Sequence, residues 1–189
     1  MTKIQIANRI KYDLPKRKGY DAVVANDEIV VIVPEGITKL PSDIWRSYAE
    51  HIEKVVLPSS LTEIAGGAFC GCENLKEIEI PAKVTHLWME TFHGCSNLKK
   101  VVLNEGLKVI SYAVFAGTPK LEELNIPSTV TQLGGEVTDG LGTGYCSPFE
   151  SFDGSSGSGI AKENIKIVCP ENFDDRCFSG TKRTPQFPK

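Results

Sequence analysis

The sequence predicts a solenoid of short stacked repeats built around a parallel β-sheet. The first observation is that short apolar runs, each ending at a proline or an asparagine, recur at spacings of 24, 23, 23 and 23 residues. The second is that several other apolar positions recur in the same register. A repeat this short cannot bury its apolar side alone and must stack on copies of itself. We therefore expect one continuous core running through the repeats.

Each apolar run is predicted to be a β-strand. A proline at its end lacks the N–H that a ladder needs, so pairing stops there. The spacing lies in the range of leucine-rich repeats. The anchors are Pro34, Pro58, Pro81, Asn104 and Pro127, and Pro170 follows after an interruption. We expect six parallel strands, ending at Val33, Leu57, Ile80, Leu103, Ile126 and Cys169.

Equivalent side chains of successive repeats should stack as ladders inside the core. Eleven residues past the anchor an aromatic column reads Trp45, Phe69, Phe92 and Phe115. Fourteen residues past the anchor a second column reads Tyr48, Cys72, Cys95 and Thr118. In the interrupted copy, Phe152-Asp153-Gly154 matches the Phe-x-Gly of the earlier repeats. We expect Phe152 to continue the aromatic column.

The segment LPSSLTEIAGGAFCGCENLKEIEIP resembles the BspA-like, Treponema pallidum-type leucine-rich repeat. The resemblance covers residues 30–133 fully and 149–173 partly, and it departs from the family pattern at Trp45, Asn104 and Thr118. It implies an α/β-type leucine-rich-repeat solenoid, a curved right-handed coil with its parallel β-sheet on the concave side. Short helical or irregular segments are implied on the convex side. The family consists mainly of non-enzymatic surface and adhesive proteins of bacteria and protists.

The two ends of a solenoid need caps, because each exposes apolar core. We expect residues 1–29 to form an N-terminal, β-hairpin-like cap with its turn at Asn26-Asp27-Glu28. Residues 30–173 form the repeat domain, with an insertion at about 134–150, and residues 174–189 form a C-terminal cap and tail. The apolar residues expected to close the ends are Ile4, Ile6, Ile10, Tyr12 and Leu14, and Phe173, Cys177, Phe178 and Phe187.

The net charge of −3 argues against a nucleic-acid binder. The basic run Lys16-Arg17-Lys18 either contacts an anionic partner or is a solvated turn. No stretch approaches the roughly 18 apolar residues of a membrane span. The first fourteen residues lack the continuous apolar region of a signal peptide, which favours a cytoplasmic protein with free thiols. The alternative is a secreted or cell-surface protein whose leader was removed.

The outward side chains of the expected concave face are one candidate binding surface. One row is Lys54, Glu77, Lys100 and Glu123, and the other is Val56, Glu79, Val102 and Asn125. The alternating charges of the first row either set strand register and solubility or contribute to binding. At the start of these rows, Val30 and Ile32 could pair with a second copy, so a homo-oligomer is possible.

A second candidate surface consists of large side chains at positions where the earlier repeat has Ala65-Gly66. Trp88, Met89 and Tyr112 should cluster beside the sheet, and exposed aromatic clusters often mark interfaces. In the insertion, Tyr145 and Phe149 either cover this cluster or extend it as partner-binding residues.

Other chemistries find little support in the sequence. Cys70, Cys72, His93 and Cys95 have zinc-ligand types, but the first and third are predicted to point outward and the other two inward. The run Gly140–Gly144 lacks the Lys-Ser/Thr of a phosphate-binding loop. We expect no catalytic site, no metal and no cofactor. The predicted function is a non-catalytic module that binds a protein partner, with a surface adhesin as the alternative.

Overall fold

The computed structural model describes residues 1–14, 19–139, 142–149, 166–170, 173 and 175–178. These residues contain one α-helix, two short 3₁₀ turns and fourteen strands. In chain order the helix and the strands are α1 (Lys3–Asp13), β1 (Asp21–Ala25), β2 (Glu28–Ile32), β3 (Lys39–Leu40), β4 (Lys54–Val56), β5 (Glu63–Ile64), β6 (Glu77–Ile80), β7 (His86–Leu87), β8 (Lys100–Leu103), β9 (Val109–Ile110), β10 (Glu123–Asn125), β11 (Gln132–Leu133), β12 (Gly135–Asp139), β13 (Gly142–Cys146) and β14 (Lys166–Val168).

The main sheet contains the six parallel strands that the repeat spacing predicted. Its order is β1-β2-β4-β6-β8-β10-β14, so consecutive repeats lie side by side. Strand β1 adds a seventh strand, antiparallel to β2. The side chains one and three positions before each anchor face the core, as Ile78 and Ile80 do in β6. The solenoid is confirmed.

A second sheet, of five two-residue strands, lies among the short irregular segments expected on the other side of the repeats. Its order is β11-β9-β7-β5-β3, and the pairs that join it are parallel. Each coil follows the same backbone path, so the N–H and C=O groups of equivalent residues meet between coils. Turns joined by further backbone hydrogen bonds complete each coil, as from the Phe69 N–H to the Thr91 carbonyl.

The aromatic column forms one buried stack. The ring centroids lie 6.2 Å apart for Trp45 and Phe69, 5.3 Å for Phe69 and Phe92, and 5.9 Å for Phe92 and Phe115. These spacings and the near-parallel planes suit offset aromatic stacking. The core therefore continues through every complete repeat.

The next ring of this stack belongs to Phe149, so the prediction that Phe152 continues the column is wrong. The centroid of Phe149 lies 5.9 Å from that of Phe115. The Phe115 N–H donates to the carbonyl of Pro148, just as the Phe92 N–H donates to that of Val114. Phe149 comes 34 residues after Phe115, eleven more than the 23-residue period. The Phe-x-Gly match at Phe152 is a local similarity, and Phe152 itself lies outside the described residues.

The N-terminal end of the core is covered by α1 and by the β1–β2 hairpin. Thr2 and Gln5 form a capping box at the start of the helix. The helix places Ala7, Ile10 and the following Leu14 against the core. Ile4 and Tyr12, which the sequence assigned to the core, are exposed on the opposite side of the helix.

The hairpin turn lies at Asn26 and Asp27, both with positive φ (50° and 60°). Two consecutive residues with positive φ suit a two-residue type I′ turn, and Asn and Asp tolerate this conformation better than other non-glycine residues. The β1–β2 hairpin therefore lies where the turn residues indicated.

At the other end, Cys177 and Phe178 are buried in the 3₁₀ turn Asp175–Phe178, and Phe173 packs against the core. The predictions for Lys16, Arg17 and Lys18 and for Phe187 concern residues outside the described part of the chain.

Candidate binding surfaces

The buried thiols of Cys72 and Cys95 belong to the hydrophobic core. Burial raises the pKa of Cys72 to about 12, and the Cys95 thiol donates to the carbonyl of Phe69 at 3.1 Å. Cys70 is exposed on the other side of the backbone. In the described residues no group of three His, Cys, Asp or Glu side chains is placed to hold a metal ion.

The outward charged row of the main sheet forms a ladder across strands. Lys54 Nζ lies 2.8 Å from Glu77 Oε1, Lys100 is the register neighbour of Glu77, and Lys166 Nζ lies 3.6 Å from Glu123 Oε1. The hydrogen bond from Lys54 lowers the pKa of Glu77, and the bond to Glu77 raises the pKa of Lys54. The row therefore alternates in charge over five strands, one more than the sequence predicted.

The second outward row forms the floor of a groove of about 760 Å³ across β4, β6 and β8. Its centre reads Val56, Glu79 and Val102, and Val56 is exposed to 43%. One rim consists of Lys54, Glu77 and Lys100, and the other of the turn after β6 with Ser59 and Asn104. We call this feature the main-sheet groove. It combines an apolar floor with charged and polar rims.

A second surface lies on the outer side of the second sheet. Trp88 and Met89 are exposed to 42% and 45%, although both are large apolar side chains. The imidazole of His86 stacks on the indole of Trp88 at a centroid distance of 5.0 Å and an interplanar angle of 13°. The hydroxyl of Tyr112 donates to Met89 Sδ at 3.0 Å. These four residues form the Trp88 patch, and its two exposed side chains are each held by a neighbour.

Gly66 of the preceding coil makes room for the Trp88 patch. A Cβ atom at this position would lie 3.0 Å from the carbonyl oxygen of Met89 and 3.4 Å from its Cγ. The backbone oxygen cannot retreat as a flexible side chain would. Gly66 is therefore needed at this position, because a larger residue would clash with the backbone and side chain of Met89.

The insertion residues predicted to contact a partner take other places. Phe149 is exposed to only 1%, inside the aromatic stack, so the prediction of a surface role is wrong. Tyr145 is partly buried. Its hydroxyl donates to the carbonyl of Leu133 and lies 3.1 Å from Cys177 Sγ, while the guanidinium of Arg176 lies 5.4 Å from its ring centroid. Tyr145 therefore fastens the β12–β13 hairpin to the core.

Strand β2 is paired on both sides, with β1 and with β4. Its backbone edge is thus occupied within the chain. Val30 is buried and only Ile32 of the expected pair is exposed. Within the described residues, no helix has both the length and the apolar character needed to cross a membrane.

Comparison with known proteins identifies the repeat. The model of the BspA type leucine rich repeat region matches six copies across residues 28–139. A leucine-rich repeat protein from Bacteroides ovatus is 25% identical with a TM-score of 0.53, over 61% of this chain and 36% of that chain. The leucine rich repeat protein of Treponema pallidum is 22% identical with a TM-score of 0.58, over 82% of this chain and 70% of that chain.

No curated protein matches the sequence significantly. This chain spans about a third of the length of the Bacteroides ovatus protein, at 36%. The Treponema pallidum likeness concerns the fold alone. The repeat model nevertheless covers more than half of the 189 residues. The chain belongs to the BspA-type leucine-rich repeat family.

Proposed function

We propose that this chain is a non-catalytic protein-binding module whose contact site is centred on the Trp88 patch. The observation that supports it most is the exposure of Trp88 and Met89, two large apolar side chains that lie side by side. The equivalent residues of the preceding coil, Ala65 and Gly66, are small. Leucine-rich repeat proteins generally mediate protein interactions, and the family membership is consistent with this role.

The energetics of such a patch favour a protein partner. Tryptophan is enriched among the interface residues that contribute most to affinity, and methionine is enriched at interfaces. The stacking of His86 on Trp88 and the hydrogen bond from Tyr112 to Met89 restrict both side chains before a partner arrives. Less conformational entropy is then lost on binding, which raises affinity.

The test compares partner binding by the wild type with binding by the double variant Trp88→Ala/Met89→Ala. Partners are captured from cell extract and from culture medium of the source organism, and each is then purified and titrated calorimetrically. We expect at least one partner whose dissociation constant rises about thirtyfold or more in the double variant, the effect of removing about 2 kcal/mol of hot-spot energy. Tyr12→Ala, which removes an exposed aromatic from α1, is the matched control.

Circular dichroism and thermal unfolding verify that both variants remain folded. Partners that bind the double variant and the wild type with equal dissociation constants would assign the contact to another surface. The fraction from which the partner is captured also distinguishes a cytoplasmic protein from an exported one.

A further inference from the structure

The turn that follows a strand of the main sheet exposes backbone N–H groups. These groups can donate hydrogen bonds to a carboxylate of the neighbouring coil. Glu35 accepts from the Ser59 N–H at 2.9 Å and from the Ser60 N–H at 3.3 Å. Glu105 accepts from the Ser128 N–H at 3.3 Å and from its hydroxyl at 3.1 Å. The same turn thus binds a carboxylate in two places along the solenoid.

The turn after β6 lacks this carboxylate. In the preceding coil, the position equivalent to Glu35 and Glu105 is occupied by Ser59. No acceptor among the described residues takes the N–H of Ala82 or of Lys83. This turn forms one rim of the main-sheet groove.

The charges around the turn suit an incoming carboxylate. Lys83 is exposed, and neither it nor Lys100 has an ion-pair partner within 4.0 Å among the described residues. Both side chains line the groove. Lys54, in contrast, is already paired with Glu77 at 2.8 Å. Lys83 therefore supplies an unpaired cation at the two backbone donors, and Lys100 lies on the opposite rim between Glu77 and Glu123.

The equivalent turn demonstrates what these donors do to a carboxylate. Hydrogen bonds, chiefly from the Ser59 N–H, hold the pKa of Glu35 below its ordinary value. Backbone donors that stabilise an ionised carboxyl group would act in the same way on a ligand.

We propose that the main-sheet groove binds an extended peptide segment, with one glutamate side chain on the Ala82–Lys83 turn and an adjacent apolar side chain on Val56 and Val102. Glu35, which reaches its turn from the neighbouring coil, is the internal precedent for the glutamate. The exposed Val56 and the half-buried Val102 account for the apolar side chain, because covering them removes apolar surface from water.

Glu79 adds selectivity to the groove. Glu79 stands between Val56 and Val102 in the outward row, and its carboxylate accepts from Asn104 Nδ2 at 3.4 Å. A second acidic residue beside the first would be repelled by Glu79. The preferred segment therefore carries a single acidic residue next to apolar ones, and not an acidic run.

This inference stands apart from the proposed function, because the Trp88 patch and the main-sheet groove lie on different sheets. Removal of Trp88 and Met89 should leave peptide binding in the groove intact. Changes to the Ala82–Lys83 turn should leave the patch intact. The experiments can therefore refute the protein-binding role of the Trp88 patch and the peptide-binding role of the main-sheet groove independently.

The experiment selects peptides from an mRNA-displayed library of random, linear ten-residue segments followed by a constant tail. The wild type is the bait, and the enriched segments are synthesised with blocked ends for fluorescence titration. We expect enrichment of one Glu beside Val, Ile or Leu. In ¹⁵N-labelled protein, the amide signals of Ala82 and Lys83 should shift on titration with the enriched peptide.

Ser59→Glu is the decisive variant, because it adds the carboxylate that Glu35 and Glu105 supply to their neighbouring turns. We expect the dissociation constant of the enriched peptide to rise at least tenfold in Ser59→Glu and severalfold in Lys83→Gln. Thr62→Glu is the matched control, since it adds the same charge to an exposed residue of the same coil outside the groove lining.

Three results would overturn the proposal. One is a selection that yields no binders, or binders without an acidic residue. Another is equal affinity of the enriched peptide for wild type and Ser59→Glu. The third is an unchanged affinity when the peptide Glu is replaced by Gln. Thermal unfolding of every variant separates loss of fold from loss of binding.

Discussion

At the scale of single residues, stability is concentrated in the aromatic stack and in the polar links between coils. Phe69, Phe92 and Phe115 are fully buried, and each touches a ring above and below. Glu35 joins the first two coils through backbone donors of the second. These contributions differ in kind, because one depends on apolar area and the other on ionisation.

Phe92→Ala should lower the free energy of unfolding by about 3–5 kcal/mol, since it leaves a cavity in a core that cannot collapse around it. Urea denaturation followed by circular dichroism measures this change. Trp88→Ala removes an aromatic ring from the surface and should cost less than about 1 kcal/mol. Comparable losses in the two variants would contradict the buried stack.

Trp45→Phe should leave the free energy of unfolding within about 1 kcal/mol of the wild-type value. The indole Nε1 of Trp45 is buried and has no hydrogen-bond partner among the described residues, which costs about 1–3 kcal/mol. Removing it offsets the apolar area that the smaller ring no longer buries. A loss as large as that of Phe92→Ala would show that the indole N–H is satisfied in solution.

Glu35→Gln should reduce stability at neutral pH and have less effect in acid. The hydrogen bond from the Ser59 N–H, more than any other interaction, holds the pKa of Glu35 below its ordinary value in the folded state. A lowered pKa means that its contribution is present above the unfolded pKa and is lost as the pH falls through the folded pKa. Urea midpoints of wild type and variant, compared at pH 7 and near pH 3, should converge at the lower value. A constant difference would mean that the ionised carboxylate is not the stabilising form.

At the scale of elements, the sequence predicted the strands of the main sheet and missed the two-residue strands of the second sheet and the helix α1. The strands of the main sheet follow from alternating inward residues and their anchors. The strands of the second sheet have only two residues each, such as His86–Leu87, which is too short for a periodic signal. The first fourteen residues contain apolar positions that fit more than one element, and the helix became evident only from its capping box and its packing.

The candidate surfaces show the same division. The exposure of Trp88 and Met89 could be predicted, because they differ from the small residues at the equivalent positions of the preceding repeat. The Ala82–Lys83 turn could not, because free backbone donors are recognised only when the stacking shows which carboxylates reach the equivalent turns. Phe149 was misplaced because counting residues cannot determine the length of an insertion.

Phe149→Ala should destabilise the protein about as much as Phe115→Ala, by about 3–5 kcal/mol. Its ring forms the last rung of the stack among the described residues and is buried to the same degree as the others. Urea denaturation of both variants gives the comparison. Were Phe149→Ala to behave as a surface substitution, with a change within about 0.5 kcal/mol, the register of the last coil would be wrong.

At the scale of the whole molecule, stability should follow the quasi-one-dimensional arrangement of a solenoid. Each coil contacts mainly its two neighbours, so the coils at either end depend on one neighbour and a cap. Ile10 is fully buried where α1 meets the core, and Lys3 links the helix to Glu53 at 3.1 Å. The helix is therefore part of the cooperative unit.

Ile10→Ala should lower the free energy of unfolding by about 2–5 kcal/mol. Amide hydrogen exchange should show the largest loss of protection in β1, β2 and β4, and little change in β8 or β10. Ile4→Ala, on the exposed side of the same helix, is the control. A uniform loss of protection along the chain would indicate a single all-or-none unit instead of coupled coils.

The hairpin of β12 and β13 leaves the solenoid before Phe149 closes the last rung. Eleven extra residues pass between Phe115 and Phe149, yet the two rings remain 5.9 Å apart, the same as the distance between Phe92 and Phe115. The repeating unit is thus defined by contact between successive layers and not by the number of residues that separates them. Evolution or a designer can lengthen the chain at this junction and present new sequence there without dismantling the scaffold beneath.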